Sequence, residues 1–366
     1  MPFPPGRSAA ERAARPAEGQ SRFSVVDVDG HEGPLIYSPP HYLDEGLFGR
    51  VLLWVFEVLP HLHARGILPA WHITSPIYGR PEDHRVIPGV LDLAYEPPEH
   101  PRRRVSLINL RDSHCRHLGP DWAAASRLWT RYFCIPPRIT AAADATPLPP
   151  GTLGLHYRGT DKLTASWDSN PVTEDDFVAL TLEFLRSNAD LRHIFLATDA
   201  AGVVDRLRRA VEVPVTHLGA GQHHKSAEGE AGSGPAMADE AMRDCLLLSR
   251  CDSVLLTSSA LSAFAKILNP NLKIFRCAAS KPLWYGPYYP VAHIPAMPVA
   301  SPSAALIMSR TMAGDWTFGA DARRYRSPFL SRPNWPWRLK ALDRRLRRLA
   351  RRLLGRPQPP VHPYFG

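Results

Sequence analysis

The stretch Gly151-Thr152-Leu153-Gly154-Leu155-His156-Tyr157-Arg158-Gly159-Thr160-Asp161-Lys162 governs how the rest of the chain is read. A short apolar run ends abruptly in His156, Arg158, Asp161 and Lys162. Such a run is the mark of a buried parallel strand that delivers ionic side chains to a cleft at its carboxyl end. Two further apolar runs end alike, one in Thr198-Asp199 and the other in Thr257-Ser258-Ser259. The three ends are expected to form one site.

Downstream of this stretch the pattern is regular. Apolar runs place strands at 152–157, 193–198, 214–218, 252–257 and 272–276, with helices between them at 174–188, 200–211, 237–250 and 259–268. Alternating strands and helices imply parallel pairing through right-handed crossovers, hence a doubly wound α/β sheet. The helix at 174 has clear start signals: Thr173 as cap, Asp176 three residues on, Val172 poised against Phe177, and Phe177, Leu180 and Phe184 as an inner stripe. Gly219 to Gly234 is a Gly/Ser/His-rich loop, and His223-His224 within it suits a solvated pair.

Upstream the signals are sparser. Residues 1–22 are rich in Pro, Ala, Arg and Glu and are expected to be disordered. An extended pattern runs from Phe23 to Tyr37, then Asp44-Glu45-Gly46-Leu47-Phe48-Gly49-Arg50 turns into a helix over Val51 to Ala64. A glycine turn at that point can approach a ligand closely, and an ordinary loop-to-helix turn reads the same way. Strands are expected at Ile67 to Ile73 and at Val105 to Leu110, and a buried helix at Asp121 to Phe133. His114-Cys115-Arg116-His117 has ligand-type side chains, but no second cluster completes a tetrahedral zinc site. Pro136-Pro137 and Pro147 to Gly151 bracket an Ala/Thr/Pro stretch that reads as a linker. The expected units are an amino-terminal Rossmann-like domain at 23–146, a nucleotide-binding one at 151–325, and a tail at 326–366.

The chain has 366 residues, 44% of them hydrophobic, enough for two cores without staples. Five cysteines, with no C-x-x-C pair, fit a reducing compartment, and Cys245, Cys251 and Cys277 read as core thiols. The longest apolar stretch, Val51 to Leu59, is too short to span a bilayer and contains Glu57. Pro, Arg and Glu stand at the amino terminus where a signal peptide needs an apolar centre, so the expected location is the cytoplasm.

The net charge of +9 is concentrated between Trp337 and Arg356, where nine basic residues face one acid, Asp343. The remainder is nearly neutral, so no general nucleic-acid-binding surface is implied. In the tail, Leu339, Leu342, Leu346, Leu349 and Leu353 form one apolar stripe, with Trp335 and Trp337 at its start. A basic amphipathic helix of this kind over 335–354 suits an anionic membrane surface, here the inner face. Packing on the body through its leucines is the other reading, and so dense an arginine run also suits RNA.

At the three strand ends the residue types suit a diphosphate. Arg158 offers a planar fork and Lys162 a second cation. Ser258 and Ser259 open a helix whose free N–H groups and positive end favour phosphate. Each also has a local alternative: Arg158 could pair with Asp161, and Asp199 or either serine could cap a helix. Neither a G-x-G-x-x-G fingerprint after a strand nor a G-x-x-x-x-G-K-[ST] loop occurs, so dehydrogenase and nucleoside-triphosphatase readings lose their usual support. A G-x-S-x-G elbow is absent too.

His156-Tyr157-Arg158-Gly159-Thr160-Asp161-Lys162 resembles the His-x-Arg-Arg-Thr-Asp-Lys segment of the alpha-1,6-fucosyltransferase family, which includes the nodulation fucosyltransferases. In order along this chain, Asn170-Pro171-Val172-Thr173-Glu174-Asp175 is similar to the family's His-Pro-Ile-Glu-Glu, and Phe195-Leu196-Ala197-Thr198-Asp199 to its Leu-Ala-Thr-Asp-Asp. Asp244 to Asp252, followed by Thr257-Ser258-Ser259, resembles its Asp-(x)4-Leu-Ser-x-Ala-Asp and Ser-Ser signatures. The likeness covers roughly residues 151 to 280.

The resemblance implies a GT-B-like fold of two Rossmann-like domains, GDP-fucose as donor, inversion at the sugar carbon, and no metal or other cofactor. It puts Arg158 on the diphosphate, His156 and Asp244 near guanosine, and Ser258 and Ser259 on phosphate, with Asp161, Thr198, Asp199 and Thr257 in the same donor site. An aspartate accepts from both N1–H and the 2-amino group of guanine, which uracil cannot match. Arg158, Lys162 and a helix end would stabilise the departing diphosphate. The acceptor is expected to be a glycan or lipid-linked sugar. Two positions depart from the family: its second arginine is Gly159, and its glutamate four residues beyond the lysine is Ser166. The base is therefore assigned to Asp168, with Asp161 and Glu174 as alternatives. Another GDP-sugar as donor, or a non-catalytic nucleotide-sugar or membrane-recruited module, are the alternatives those departures open.

Overall fold

The computed structural model describes residues 35–37, 47–49, 54–75, 78–99, 104–106, 120–159, 172–219, 234–257, 259–277, 291 and 294–297. The segment 1–22, the His114–His117 cluster, Asp161, Lys162, Ser166, Asp168, His223-His224, Ser258 and the basic tail lie outside the described residues.

In chain order, β1 (Leu35–Tyr37) precedes a helical turn at 47–49 and a π turn over Trp54–Val58 that continues as α1 (Leu59–Ala64). Next come β2 (Ala70–His72), β3 (Asp92–Leu93) and β4 (Arg104–Ser106). After α2 (Trp122–Tyr132), β5 (Phe133–Cys134) and α3 (Pro137–Asp144), the regular alternation begins. It runs β6 (Thr152–Tyr157), α4 (Glu174–Ser187), β7 (His193–Thr198), α5 (Ala201–Ala210) and β8 (Val215–Thr216). It continues with α6 (Gly234–Ser249), β9 (Ser253–Leu256), α7 (Ala260–Leu268), β10 (Lys273–Cys277) and β11 (Ala296–Met297).

Strands β6 to β11 form one sheet in the order β11-β10-β9-β6-β7-β8, with every pairing parallel. Within it, β8-β7-β6-β9-β10 follows the third-second-first-fourth-fifth order of a Rossmann-like sheet, and its direction of winding reverses between β6 and β9. The sheet is doubly wound. Phe177, Leu180 and Phe184 of α4 and Val203, Val204 and Leu207 of α5 pack with Leu153, Leu155 and Tyr157 on one face. On the other, α6 and α7 pack against Phe195, Ala197, Val254, Leu256 and Ile274. Covered on both sides, all six residues of β6 and all six of β7 are buried, which is why their sequences read as unbroken apolar runs.

The strand β6 tolerates its helix at close range because of Gly154. A Cβ there would stand 2.9 Å from Val254 Cγ2 and 3.0 Å from both Cys251 Sγ and Leu248 Cδ2. At the amino end of β6, the Asp252 carboxylate accepts the N–H groups of Gly151 and Thr152, each at 2.9 Å. That clamp ties the end of α6 to the start of the central strand. Thr173 caps α4 by accepting from Asp176 N at 3.1 Å, and Val172 joins Phe177 in one cluster, as the start signals require.

The earlier part of the chain forms a second parallel sheet, β2-β1-β4, at the three places where strands were expected. Its helices share a core with the far face of the large sheet. Phe264 of α7 lies 4.7 Å from the Trp129 ring, edge to face, and 5.9 Å from Phe48. The stretch read as an Ala/Thr/Pro linker holds α3. Pro137 pre-sets the first helical turn, the alanines favour the helix, and Ile139 and Ala143, one turn apart, are buried. Arg138 then forks onto Asp239 of α6 at 2.6 and 2.8 Å.

Candidate functional site

Because β6 is the central strand, its carboxyl end has the ends of β7 and β9 as immediate neighbours, and hydrogen bonds join all three. Arg158 N donates to Thr257 Oγ1 at 2.9 Å, and Thr257 N donates to the His156 carbonyl at 2.9 Å. On the other side, Gly159 N donates to Asp199 Oδ1 at 2.8 Å. Asp199 therefore ties two strand ends together and does not cap α5, whose N-cap is Ala200 without a side-chain bond. Thr198 serves locally, its Oγ1 accepting from Ala200 N at 3.1 Å. The backbone of Arg158 is thus fixed on both sides at the point where the winding reverses, where open α/β sheets take ligands.

Across the reversal, α7 starts at Ala260 with Ser259 as its N-cap. Ser259 is 1% exposed, makes no capping bond, and its Oγ has no hydrogen-bond partner among the described residues. A buried hydroxyl left in this way costs about 1–3 kcal/mol, so a group that accepts from it or donates to it there would recover that energy. The helix opening adds N–H groups that have no partner within the helix, and a positive end. The turn at 47–49 lies against this opening: a Cβ on Gly49 would be 4.0 Å from Ala260 Cβ.

His156 is buried, with Nδ1 2.9 Å from Ser262 Oγ on α7. Sequence reasoning missed Ser262. The signal was there, since Ser262 is a polar residue in the otherwise apolar run Ala260-Leu261-Ser262-Ala263-Phe264. Asp244 on α6 is also buried, at 3% exposure, with Arg243 Nη2 3.8 Å from its carboxylate. α6 runs antiparallel to β6, and Leu248 stands opposite Gly154. One helical turn back from Leu248 covers about 6 Å, nearly the length of two strand residues, so Asp244 comes level with His156. An imidazole and a carboxylate therefore stand at one level, near an anion-favouring helix end.

Glu174, an alternative base, is at the first residue of α4 and forms an ion pair with Arg206 Nε at 3.0 Å. The thiols of Cys245, Cys251 and Cys277 are buried and pushed up by that burial, as suits packing groups. Among the described residues no cluster of His, Cys, Asp and Glu could hold a metal. Gly159 has a local reason. A Cβ there would stand 2.3 Å from Tyr157 Cε1 and 3.2 Å from Ala200 Cβ, so the buried Tyr157 ring fills the space a side chain would need.

No protein family matches this sequence, and no curated protein does. Among solved structures, the chain is similar to the NodZ alpha-1,6-fucosyltransferase soaked with GDP-fucose, at 16% identity and a TM-score of 0.41, over 65% of this chain and 94% of that one. The fucosyltransferase NodZ from Bradyrhizobium is 17% identical with a TM-score of 0.39, over 65% and 94% of the two chains. POFUT1 in its apo form is 10% identical with a TM-score of 0.40, over 67% and 97%. None of these likenesses assigns a role to a residue of this chain. Among the described residues, no helix is long and apolar enough to cross a membrane.

Proposed function

We propose that the chain is a glycosyltransferase that moves fucose from GDP-fucose to a hydroxyl of a glycan or lipid-linked sugar, with inversion and without a metal, on a GT-B-like fold. One observation carries the donor reading: the Arg158–Thr257 hydrogen bond at the winding reversal, beside the buried Ser259 hydroxyl that no described residue satisfies at the opening of α7. Arg158 would hold the diphosphate there with Ser259, Ser258 and Lys162. Buried Asp244, level with His156, would take the guanine edge through a two-point contact.

In the reaction, the acceptor oxygen forms a bond to the anomeric carbon as the bond from that carbon to the diphosphate oxygen breaks. The electron pair leaves with GDP, and the acceptor proton passes to a carboxylate, assigned to Asp168. The cations and the helix end favour the charge that develops on the leaving group. Asp199 and Thr257 act as positioning residues by fixing the backbone on either side of Arg158.

Calorimetry on the full chain with GDP, UDP and GDP-fucose tests the donor assignment. GDP should bind more tightly than UDP, and Arg158→Ala should weaken GDP by roughly 10- to 100-fold. Tighter UDP binding, or GDP affinity indifferent to Arg158→Ala, overturns it. Turnover across a panel of GDP-sugars separates fucose from other sugars, and binding without any transfer would indicate a non-catalytic module.

A further inference from the structure

The strand β10 carries Arg276 between Phe275 and Cys277, and its side chain is completely buried. Nε, Nη1 and Nη2 have no hydrogen-bond partner among the described residues. A guanidinium presents five donors and remains charged, so burial with none of them used is among the more costly arrangements a fold can hold. Burial pushes its pKa down to about 10. Neighbouring Cys277 does not neutralise it, because its thiol is itself pushed up by burial. Such a charge requires an anion.

Its position says which end of the sheet that anion occupies. Along β10, Phe275 and Cys277 pack into the α4–α5 face, whereas Ile274 packs with α6 and α7. Side chains alternate along a strand, so Arg276 shares the α6–α7 face with Ile274. In register it pairs with Leu256, which pairs in turn with His156. Arg276, Leu256 and His156 therefore form one row across three strands, about 10 Å from first to last Cα. The crossover helix α7 joins β9 to β10 on this face and begins at the carboxyl ends of the strands. Arg276 is the penultimate residue of β10. Arg276 therefore lies at the same end and on the same face of the sheet as the opening of α7.

Two buried groups with unused hydrogen-bonding capacity thus sit at one end of one face: the Arg276 guanidinium and the Ser259 hydroxyl at the start of α7. The fork is cationic and the helix opening is electropositive, so without an anion they repel one another. We infer that Arg276 is an anion-binding residue whose guanidinium, together with Ser259 and the first N–H groups of α7, grips the diphosphate of the nucleotide ligand. The identity of that anion rests on the nucleotide-sugar reading above. The need for an anion does not.

The test uses the full chain and three probes, GDP, inorganic pyrophosphate and guanosine, by calorimetry and thermal melting. Arg276→Met should melt no lower than wild type without ligand, because it replaces a buried charge with an apolar group of similar length. It should lose roughly 10- to 100-fold in affinity for GDP and pyrophosphate while guanosine binding stays constant. Arg276→Lys keeps the charge but loses the fork, should show a smaller loss, and serves as the test if the methionine variant fails to fold.

Unchanged GDP affinity in Arg276→Met, with a loss in Arg158→Ala, overturns the Arg276 proposal and leaves the nucleotide reading standing. Wild-type binding of pyrophosphate but not GDP has the opposite consequence: the nucleotide reading falls, and loss of pyrophosphate in Arg276→Met upholds the anion site. Equal losses for all three probes, with a lowered melting temperature, would mark Arg276 as merely structural and overturn the proposal.

Discussion

Replacing Gly159 with alanine probes the join between the central strand and the site. The backbone at 159 is not among the positive-φ glycines, so the effect of a methyl group there is steric. The new carbon would fall 2.3 Å from Tyr157 Cε1 and 3.1 Å from Cζ. Tyr157 cannot easily yield. It is fully buried, its ring lies 4.9 Å from Phe177, and its hydroxyl donates to the Val172 carbonyl at 2.9 Å. Inserting a methyl into such packing costs about 1–3 kcal/mol. Displacing the ring also breaks the hydroxyl bond, worth about 1 kcal/mol. If the backbone moves instead, the bond from Gly159 N to the Asp199 carboxylate is lost, at about 1.5–3 kcal/mol for a charged acceptor. The first route comes to about 2–4 kcal/mol and the second to about 1.5–3 kcal/mol, either one a large part of the roughly 5–15 kcal/mol that holds a typical domain.

Urea denaturation measures this directly: the midpoint should fall with no change in slope. The clash is specific to the far ring atoms, so Tyr157→Leu, which lacks them, should remove most of the alanine penalty in a double-mutant cycle. A penalty below about 0.5 kcal/mol for Gly159→Ala would refute the steric account. So would an undiminished penalty in the leucine background, since the obstruction would then lie elsewhere.

Two further outcomes are expected. Thr257→Val keeps the shape of the side chain but removes the acceptor of Arg158 N, so it should cost about 1–3 kcal/mol in denaturation and weaken GDP binding more than guanosine binding; equal stability would show that the strand ends are not joined there. His193 bridges strands, with Nδ1 3.1 Å from Thr152 Oγ1 and Nε2 3.0 Å from Thr216 Oγ1. The Thr152 hydroxyl proton goes to the Pro149 carbonyl at 2.5 Å, so Nδ1 carries the hydrogen and Nε2 accepts from Thr216. Burial lowers the His193 pKa below its ordinary 6.5, so the unfolded chain binds the proton more readily. Its stabilising contribution is complete above about pH 6.5 and is lost as pH falls through the lower, folded value. The stability lost between about pH 7.5 and about pH 5.5 should therefore be smaller in His193→Gln than in wild type, and equal losses would exclude His193 as a source.

The large sheet could be read from sequence because it is covered on both faces. Strands such as His193–Thr198 then become unbroken apolar runs with chemical ends, and β6 and β7 fall where those runs do. Short elements escaped for the opposite reason. β3 and β5 have two residues each, too few for any periodicity, and among the described residues they pair with one another alone. α3 escaped because flanking prolines and small residues look like a linker, while the two positions that dock it, Ile139 and Ala143, are a single turn of pattern. Within the site, His156, Arg158, Asp199 and Thr257 announced themselves by standing at strand ends. Ser262 and Arg276 did not, since each is a polar residue within a mostly apolar element and acquires meaning only from what surrounds it.

The topology explains why residues so far apart in sequence can act together. Arg158 lies some 40 residues from Asp199 and some 100 from Thr257, yet it is bonded through the backbone toward both. That is possible only for the central strand of this order, because β6 alone has β7 on one side and β9 on the other. The reversal also sends the following helices to opposite faces, α4 and α5 to one and α6 and α7 to the other. A gap therefore lies beyond β6 and β9 between the two sets of helices. Beside that gap stand Arg158, held at its backbone, and the opening of α7 with a buried hydroxyl that no described residue satisfies. On the proposed reading, a negatively charged ligand lying across the gap would meet Arg158, the opening of α7 and the Ser259 hydroxyl together, so that the order of the strands and the chemistry of the site would follow from the same arrangement.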